Sequence, residues 1–286
     1  MTTTTTKSAS RRILRMPYYV LTGGIAILFV LPLIWSTVSS VAPFPATAQT
    51  DGWGFGNFVK LAQGFGGPDV PPYLSDFVIN SLVISGVTVV LTLVLSILGG
   101  YAFARFQFRG KNILFLLVLS ILMVPFASLL IPMYVLLNAI GLNNSLLGVS
   151  LVLTVFQLPF SIFMMRIAFE AIPQELEESA LVDGCTSFGA LRRVLLPAAT
   201  PGVVTVALFA FLAAWNDFIA PLMILNDTSK YPLPLAVANL RQETMGAVDY
   251  GITQAGVTVL AVPCIILFLL LQRFYVMGFM SGALKG

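Results

Sequence analysis

Six apolar stretches, each long enough to cross a lipid bilayer, dominate the chain and limit what it can fold into. They lie at about residues 18–41, 77–101, 113–135, 147–169, 201–225 and 252–275. A helix needs about 20 apolar residues to cross the hydrocarbon core. Backbone N–H and C=O groups find no water there, so a spanning segment must pair them within a helix or a closed barrel. These runs are too long and too uniformly apolar for barrel strands, which alternate in polarity over about 10 residues. The expected fold is an all-α integral membrane protein with six transmembrane helices over residues 17–276, flanked by tails 1–16 and 277–286. The 9% charged residues and mean hydropathy of +0.94 agree, since a soluble domain carries about 25% charged residues.

Lysine and arginine set the expected orientation. With the N-terminus, the loops near 102–112 and 170–200 and the C-terminus in the cytoplasm, that side holds twelve basic residues. The other side holds three: Lys60, Lys230 and Arg241. This is a positive-inside asymmetry, and it places both termini in the cytoplasm. Residues 60 and 235 are then expected outside, and 178 and 284 inside. The apolar run from Tyr18 to Val41 is longer than the roughly 7–15 residues of a signal-peptide core, so it reads as a retained span. Cys185 on the cytoplasmic side and Cys264 inside the last run imply no disulfide. The chain has no histidine, the commonest acid–base residue and metal ligand, and no metal site is expected. No stretch fits G-x-x-x-x-G-K-[ST], so nucleotide binding through a phosphate loop is excluded. Nothing suggests a nucleic-acid partner; the surface expected is one of lipid contact.

Between the spans, "MTTTTTKSAS" reads as a disordered start. The first external loop is rich in glycine, proline and aromatics, with a short helix expected near Phe55–Ala62. Pro125, Pro159, Pro221 and Pro263 fall within spans and are read as kinks set by packing.

Charge gathers in "EESALVDGCTSFGALRRVLLP", residues 177–197. Pro173 suits a first helical turn, and Glu175, Glu177 and Glu178 favour the positive end of the helix dipole. Ile172, Leu176 and Ala180 recur every four residues as an apolar edge. Gly184 falls where a left-handed residue ends a helix, and Thr186 or Ser187 can cap a second one. Arg192 and Arg193 are placed in its last turn, before Pro197. The result is a helix–glycine–helix elbow. As a bland alternative it is a solvated loop; its capping on both sides favours a docking element.

The same segment resembles the EAA signature of membrane subunits of binding-protein-dependent ABC importers. Glu178-Ser179-Ala180 precede three residues and then Gly184, and nine residues further on stand Val194-Leu195-Leu196-Pro197. Ser179 and Val194 depart from the usual alanine and isoleucine. "FVINSLVIS", "GGYAFARFQFRGK", "AWNDFIAPLMIL" and "MSGALKG" are similar to maltose-type carbohydrate uptake permeases. The resemblance implies a type I importer permease fold in a bacterial plasma (inner) membrane, with the 170–199 loop as the coupling segment. It implies a non-catalytic subunit that pairs with a second, homologous permease, two copies of a cytoplasmic ATPase that bind ATP and Mg, and an extracytoplasmic sugar-binding protein. Coupling would rest on Leu176, Glu178, Ser179, Ala180, Asp183, Gly184, Val194, Leu196 and Pro197, and the tail "SGALKG" would also touch the ATPases.

Translocation by alternating access needs a cavity between the two permeases. Asn80, Ser81, Tyr134, Gln157 and Asn216 carry groups that can bind hydroxyls, Trp215 can stack on a sugar face, and Asp217 is an acid inside a span. Each has an equal structural alternative: polar groups between helices hold helices together, and interfacial aromatics anchor. An importer of another solute, such as an amino acid or phosphate, is the alternative substrate class. A secondary transporter is disfavoured, because no pair of midplane charges is present in repeated halves.

Overall fold

The computed structural model describes residues 6–43, 52–63, 71–240 and 250–283, with side chains for 18–43, 52–63, 71–239 and 250–272. All regular elements among the described residues are helices. Helix α1 spans Thr6–Val41, so the polar start expected to be disordered is helical from Thr6 onward. Helices α2 (Gly56–Ala62), α3 (Leu74–Arg105), α4 (Lys111–Ser120) and α5 (Phe126–Ala139) follow. Then come α6 (Leu146–Glu170), α7 (Gln174–Val182), α8 (Ser187–Ala190) and α9 (Leu196–Ala198). The last four are α10 (Thr200–Trp215), α11 (Ile219–Ile224), α12 (Leu233–Leu240) and α13 (Tyr250–Ala283). Because α13 runs to Ala283, most of the expected C-terminal tail is helical, and residues 284–286 lie outside the described residues.

Four described helices are long and apolar enough to span alone: 18–41 of α1, then α3, α6 and 250–272 of α13. The other two expected spans are not straight. The run at 113–135 is broken into α4 and α5, which meet at 103°. Ile121–Met123 tightens to a 3-10 turn, and Val124 takes the extended conformation that a following proline favours. Pro125 then starts α5. The run at 201–225 is divided at residues 216–218 into α10 and α11. The helical segment Ser187–Ala198 passes a span's test only together with α10, from which it bends by 81°. Counting each bent pair as one gives six.

The chain forms two compact units, residues 1–61 with 240–259 and residues 62–239 with 260–286. In the first, buried Asn57 of α2 donates to the Ser40 carbonyl at 2.9 Å. The start of α13 approaches it so closely that a Cβ at Gly251 would lie 2.6 Å from the Asn57 amide.

The second unit is built on α3, which packs along α6 and α10. Its contact face is a row of small polar residues: Ser81, Ser85, Thr88, Thr92 and Ser96, all buried. Hydrocarbon supplies no hydrophobic drive between helices, so small residues that let the backbones approach closely do the work. The Ser150 hydroxyl donates to the Leu146 carbonyl at 2.8 Å and approaches that of Ile84 at 3.3 Å. Gly100 marks a close crossing of α3 and α6, where a Cβ would stand 2.5 Å from that of Met165. Two apolar clusters cap this helix pair. One gathers Ile84, Leu130, Val152, Ala220 and Ile224. The other, around Tyr101, Phe169 and Leu195, lies beneath the elbow.

Candidate functional site: the elbow after α6

Helix α6 ends at Glu170, and Pro173, extended at ψ 139°, starts α7. Glu175 and Glu177 lie in the first turn of α7, where the free N–H groups favour acids. At its other end the Cys185 N–H reaches the Ala180 carbonyl at 3.0 Å and the Gly184 N–H reaches that of Leu181 at 3.1 Å. This is a Schellman closure, which requires a left-handed residue at the turn, and Gly184 supplies it with φ +86°. Thr186 caps the next helix, its hydroxyl accepting from the Gly189 N–H at 3.1 Å. The second arm differs from expectation. It continues through Arg192 and Arg193 as a π-helical stretch, Leu191–Leu195, and Pro197 lies inside α9 rather than beyond the helix. Pro197 has no N–H to give, and the Leu196 N–H reaches back five residues to Leu191, which widens the turn around it.

The elbow has two faces. Ile172, Leu191 and Leu195 are buried in the chain's own cluster, and Ala180 and Ala190 are buried as well. Of the apolar edge Ile172, Leu176 and Ala180, only Leu176 is exposed. Helical periodicity defines such an edge without saying which side it faces, and Ile172 and Ala180 face inward. The outward apolar groups are Leu176, Leu181, Val182 at 87% exposure and Phe188 at 65%. Around them Glu178, Ser179, Asp183 and Gly184 are exposed, as is Pro197, while Val194 and Leu196 are half-buried. Glu175, Glu178, Ser179, Val182 and Asp183 line a shallow groove on α7. Glu175, Glu178 and Asp183 form no ion pair among the described residues.

Glu177 turns the other way. Its carboxylate lies 3.0 Å from Nε of Arg105 and accepts the Tyr101 hydroxyl at 2.6 Å. The Arg105 guanidinium also donates to the Ile172 carbonyl at 2.8 Å. Tyr101 and Arg105 stand in the last turns of α3, inside "GGYAFAR". The sequence does not mark the three as a site, since nothing local in it links them.

The expected substrate-path residues are dispersed. The Asn80 amide donates to the carbonyls of Ser229 at 2.8 Å and Tyr231 at 3.1 Å. The buried Ser81 hydroxyl accepts the Leu233 N–H at 2.7 Å. Trp215 is 1% exposed, stacked on Phe211, and donates Nε1–H to the Leu260 carbonyl at 3.0 Å, so its ring has no free face for a sugar. Asp217 caps the helix break instead of sitting in a continuous span, its carboxylate accepting the Ala220 N–H at 2.9 Å. Tyr134 accepts from the Asn143 amide at 3.3 Å, and Gln157 donates to the Ser161 hydroxyl at 3.4 Å. Asn216 is exposed, its amide donating to the Leu212 carbonyl at 2.9 Å.

Asn144 was not expected. Its φ is +52°, and its side-chain oxygen accepts from the N–H groups of Asn226 at 3.0 Å and Asp227 at 3.3 Å. Its own carbonyl accepts from Lys230 Nζ at 3.1 Å. An asparagine in a tight turn was the available signal, because asparagine tolerates left-handed backbone.

Comparison with known proteins shows the family. Residues 93–277 match the family described as the binding-protein-dependent transport system inner membrane component. The arabinooligosaccharides transport system permease protein AraQ of Halalkalibacterium halodurans is 37% identical over 72% of this chain and 73% of its own. The trehalose transport system permease protein SugB of Mycobacterium tuberculosis is 34% identical over 90% of this chain and 92% of its own. A bacterial ABC transporter importing the acidic polysaccharide alginate superposes with a TM-score of 0.78 at 19% identity, over 96% of this chain and all of that one. With the matched region running from Leu93 in α3 to residue 277 in α13 and including the whole elbow, this chain belongs to the inner-membrane permease family of binding-protein-dependent ABC importers.

Proposed function

We propose that this permease translocates a sugar, released to it by an extracytoplasmic binding protein, through a cavity shared with a second, homologous permease. Two copies of a cytoplasmic ATPase, holding ATP and Mg, drive the cycle. The observation that carries this reading is the elbow's outward face. Val182 and Phe188 stand at 87% and 65% exposure beside acids without an ion-pair partner among the described residues. A basic, apolar groove on the ATPase fits such a face. Leu176, Glu178, Ser179, Asp183 and Gly184 contact or shape that groove, while Ala180, Val194, Leu196 and Pro197 hold the arms at their angle. The relatives that import oligosaccharides and trehalose support a sugar as cargo.

The permease is a non-catalytic, multi-pass inner-membrane subunit whose work is conformational. A change at the ATPase interface alters which side of the cavity is open, and this requires contacts that differ between the two states. Asn216 and Gln157 are the polar groups proposed to face the sugar, with Tyr134 and Asp217 near the gate. Both termini and the elbow are proposed to be cytoplasmic. Cysteine labelling with an impermeant reagent should mark position 230 but not 178 in intact cells; position 235 is unsuitable, because Leu235 is buried. The full complex in vesicles should take up labelled oligosaccharide only with ATP and loaded binding protein present. Uptake driven by an ion gradient without the ATPase would refute the proposal.

A further inference from the structure

The described residues contain three ion pairs, and one of them is withdrawn from solvent. Arg105 and Glu177 have side-chain exposures of 6% and 12%, against 21% and 45% for Arg166–Glu170 and 40% and 43% for Lys230–Asp227. A buried pair is weak evidence of stability, since apolar groups of the same shape often serve as well, and losing one partner strands the other charge. Here it also carries two further bonds. The Tyr101 hydroxyl bridges α3 to the Glu177 carboxylate and comes within 3.4 Å of the Ser187 carbonyl, and Arg105 holds the Ile172 carbonyl. The cluster therefore grips Ile172 ahead of α7 and the first turn of α7, and lies against the start of α8.

Chain connectivity explains how motion of the elbow reaches α6 on one side and α10 on the other. It does not explain α3, whose Tyr101 lies 76 positions before Glu177. We propose that Tyr101, Arg105 and Glu177 are positioning residues for transport: a latch that makes α3 follow α7, so that the elbow moves three helices together. This rests on the elbow being the ATPase-coupling segment.

The test uses the whole complex in vesicles and reads sugar taken up per ATP hydrolysed in the presence of loaded binding protein. Glu177→Gln keeps the shape and one acceptor for Tyr101 but removes the charge. Tyr101→Phe removes a single hydroxyl and keeps the ring against Phe106 and Phe169. Coupling between sites usually amounts to about 5–150-fold, so each variant should lower the ratio at least about fivefold. The paired exchange of Arg105→Glu with Glu177→Arg should recover part of it. A structural brace alone predicts a lower yield of complex whose sugar-per-ATP ratio is that of the native protein; that result overturns the latch. If Glu177→Gln does not assemble, Tyr101→Phe decides. Val182→Asp separates the two levels, because Val182 faces outward. If that complex keeps its ATPase and its uptake, the coupling reading fails and the latch with it. If it loses both while Tyr101→Phe and Glu177→Gln keep a native ratio, the latch alone fails.

Discussion

The two ends of the α3–α6 pair are closed by different chemistry. At the elbow end the closing groups are charged and buried: Arg105 and Glu177 with the Tyr101 hydroxyl. At the Asn144 end they are side chains bound to main chain, neutral except for Lys230, whose exposed ammonium donates to the Asn144 carbonyl. Asn144 holds the N–H groups of Asn226 and Asp227, Asn80 holds two carbonyls, and Ser81 holds the Leu233 N–H. Asp227, in the same loop, is stabilised as the carboxylate chiefly by the Ser229 hydroxyl and N–H, which keep its pKa below the ordinary value. Bonds to main chain fix the course of a loop whatever side chains it carries, so the Asn144 end is built to hold its shape. The elbow end instead joins a helix to a helical segment whose other face is bare. The difference separates a part that keeps its form from one that transmits a displacement.

The largest expected effect that sharpens this contrast is at Gly184. Its φ of +86° closes α7, and a Cβ there would meet nothing within 4 Å, so any loss on substitution comes from the backbone. A β-branched residue held there costs about 1–3 kcal/mol, and the bend would shift instead. Gly184→Val should abolish uptake and binding-protein-stimulated ATP hydrolysis while the permease remains in the membrane at normal abundance. Gly184→Asn, which tolerates the left-handed region, should retain much of both. Equal activity of the two variants with the native protein would reduce the elbow to a solvated loop.

A smaller effect of a different kind is expected at Asn144. Asn144→Ala removes the acceptor of two loop N–H groups and leaves a residue with a Cβ at positive φ. The stability loss should be about 1–3 kcal/mol, read as a lower Tm of the purified complex. Asn144→Gly relieves the backbone but not the lost acceptor and should fall between Ala and native. Sugar taken up per ATP should stay native in both. A fall in that ratio would show that this end also transmits displacement, and the contrast between the ends would dissolve.

What the sequence disclosed follows from how local each signal is. Gly184 and Thr186 act within a few residues, and their capping roles are readable from spacing, whereas the pairing of Glu177 with Arg105 and Tyr101 is not. Apolar length was readable too, but the 103° break in the third run was not, although Pro125 marks its place. A proline states that a helix is perturbed there, while neighbouring helices set the angle. The inward turn of Ile172 depends on a cluster that includes Tyr101 of α3, which is remote in the chain. Asn80, Ser81 and Trp215 looked available for sugar because their partners lie 149, 152 and 45 positions away. Buried polar groups in a membrane protein are satisfied by whatever the fold brings near, and spacing along one helix carries no record of it.

Trp215 gives the smallest effect and the sharpest use of the contrast, since it belongs to neither end's closing set. Its indole is buried, stacked on Phe211 with ring centres 5.5 Å apart, and donates to Leu260 at 3.0 Å. Trp215→Phe keeps an aromatic ring against Phe211 and removes the N–H. The loss of one neutral hydrogen bond amounts to about 1 kcal/mol, visible as a modest drop in Tm. The sugar concentration that half-saturates uptake by the full complex should remain within about twofold of native, because a ring with no open face contributes nothing to ground-state binding of the cargo. Sugar per ATP should be unchanged as well, because Trp215 touches neither the latch nor the elbow. A rise of about tenfold in the half-saturating concentration, with Tm unaffected, corresponds to about 1.4 kcal/mol of lost binding. That outcome would mean that α10 rotates during the cycle to present Trp215 to the cavity, and the helix would then have to be counted among the moving parts.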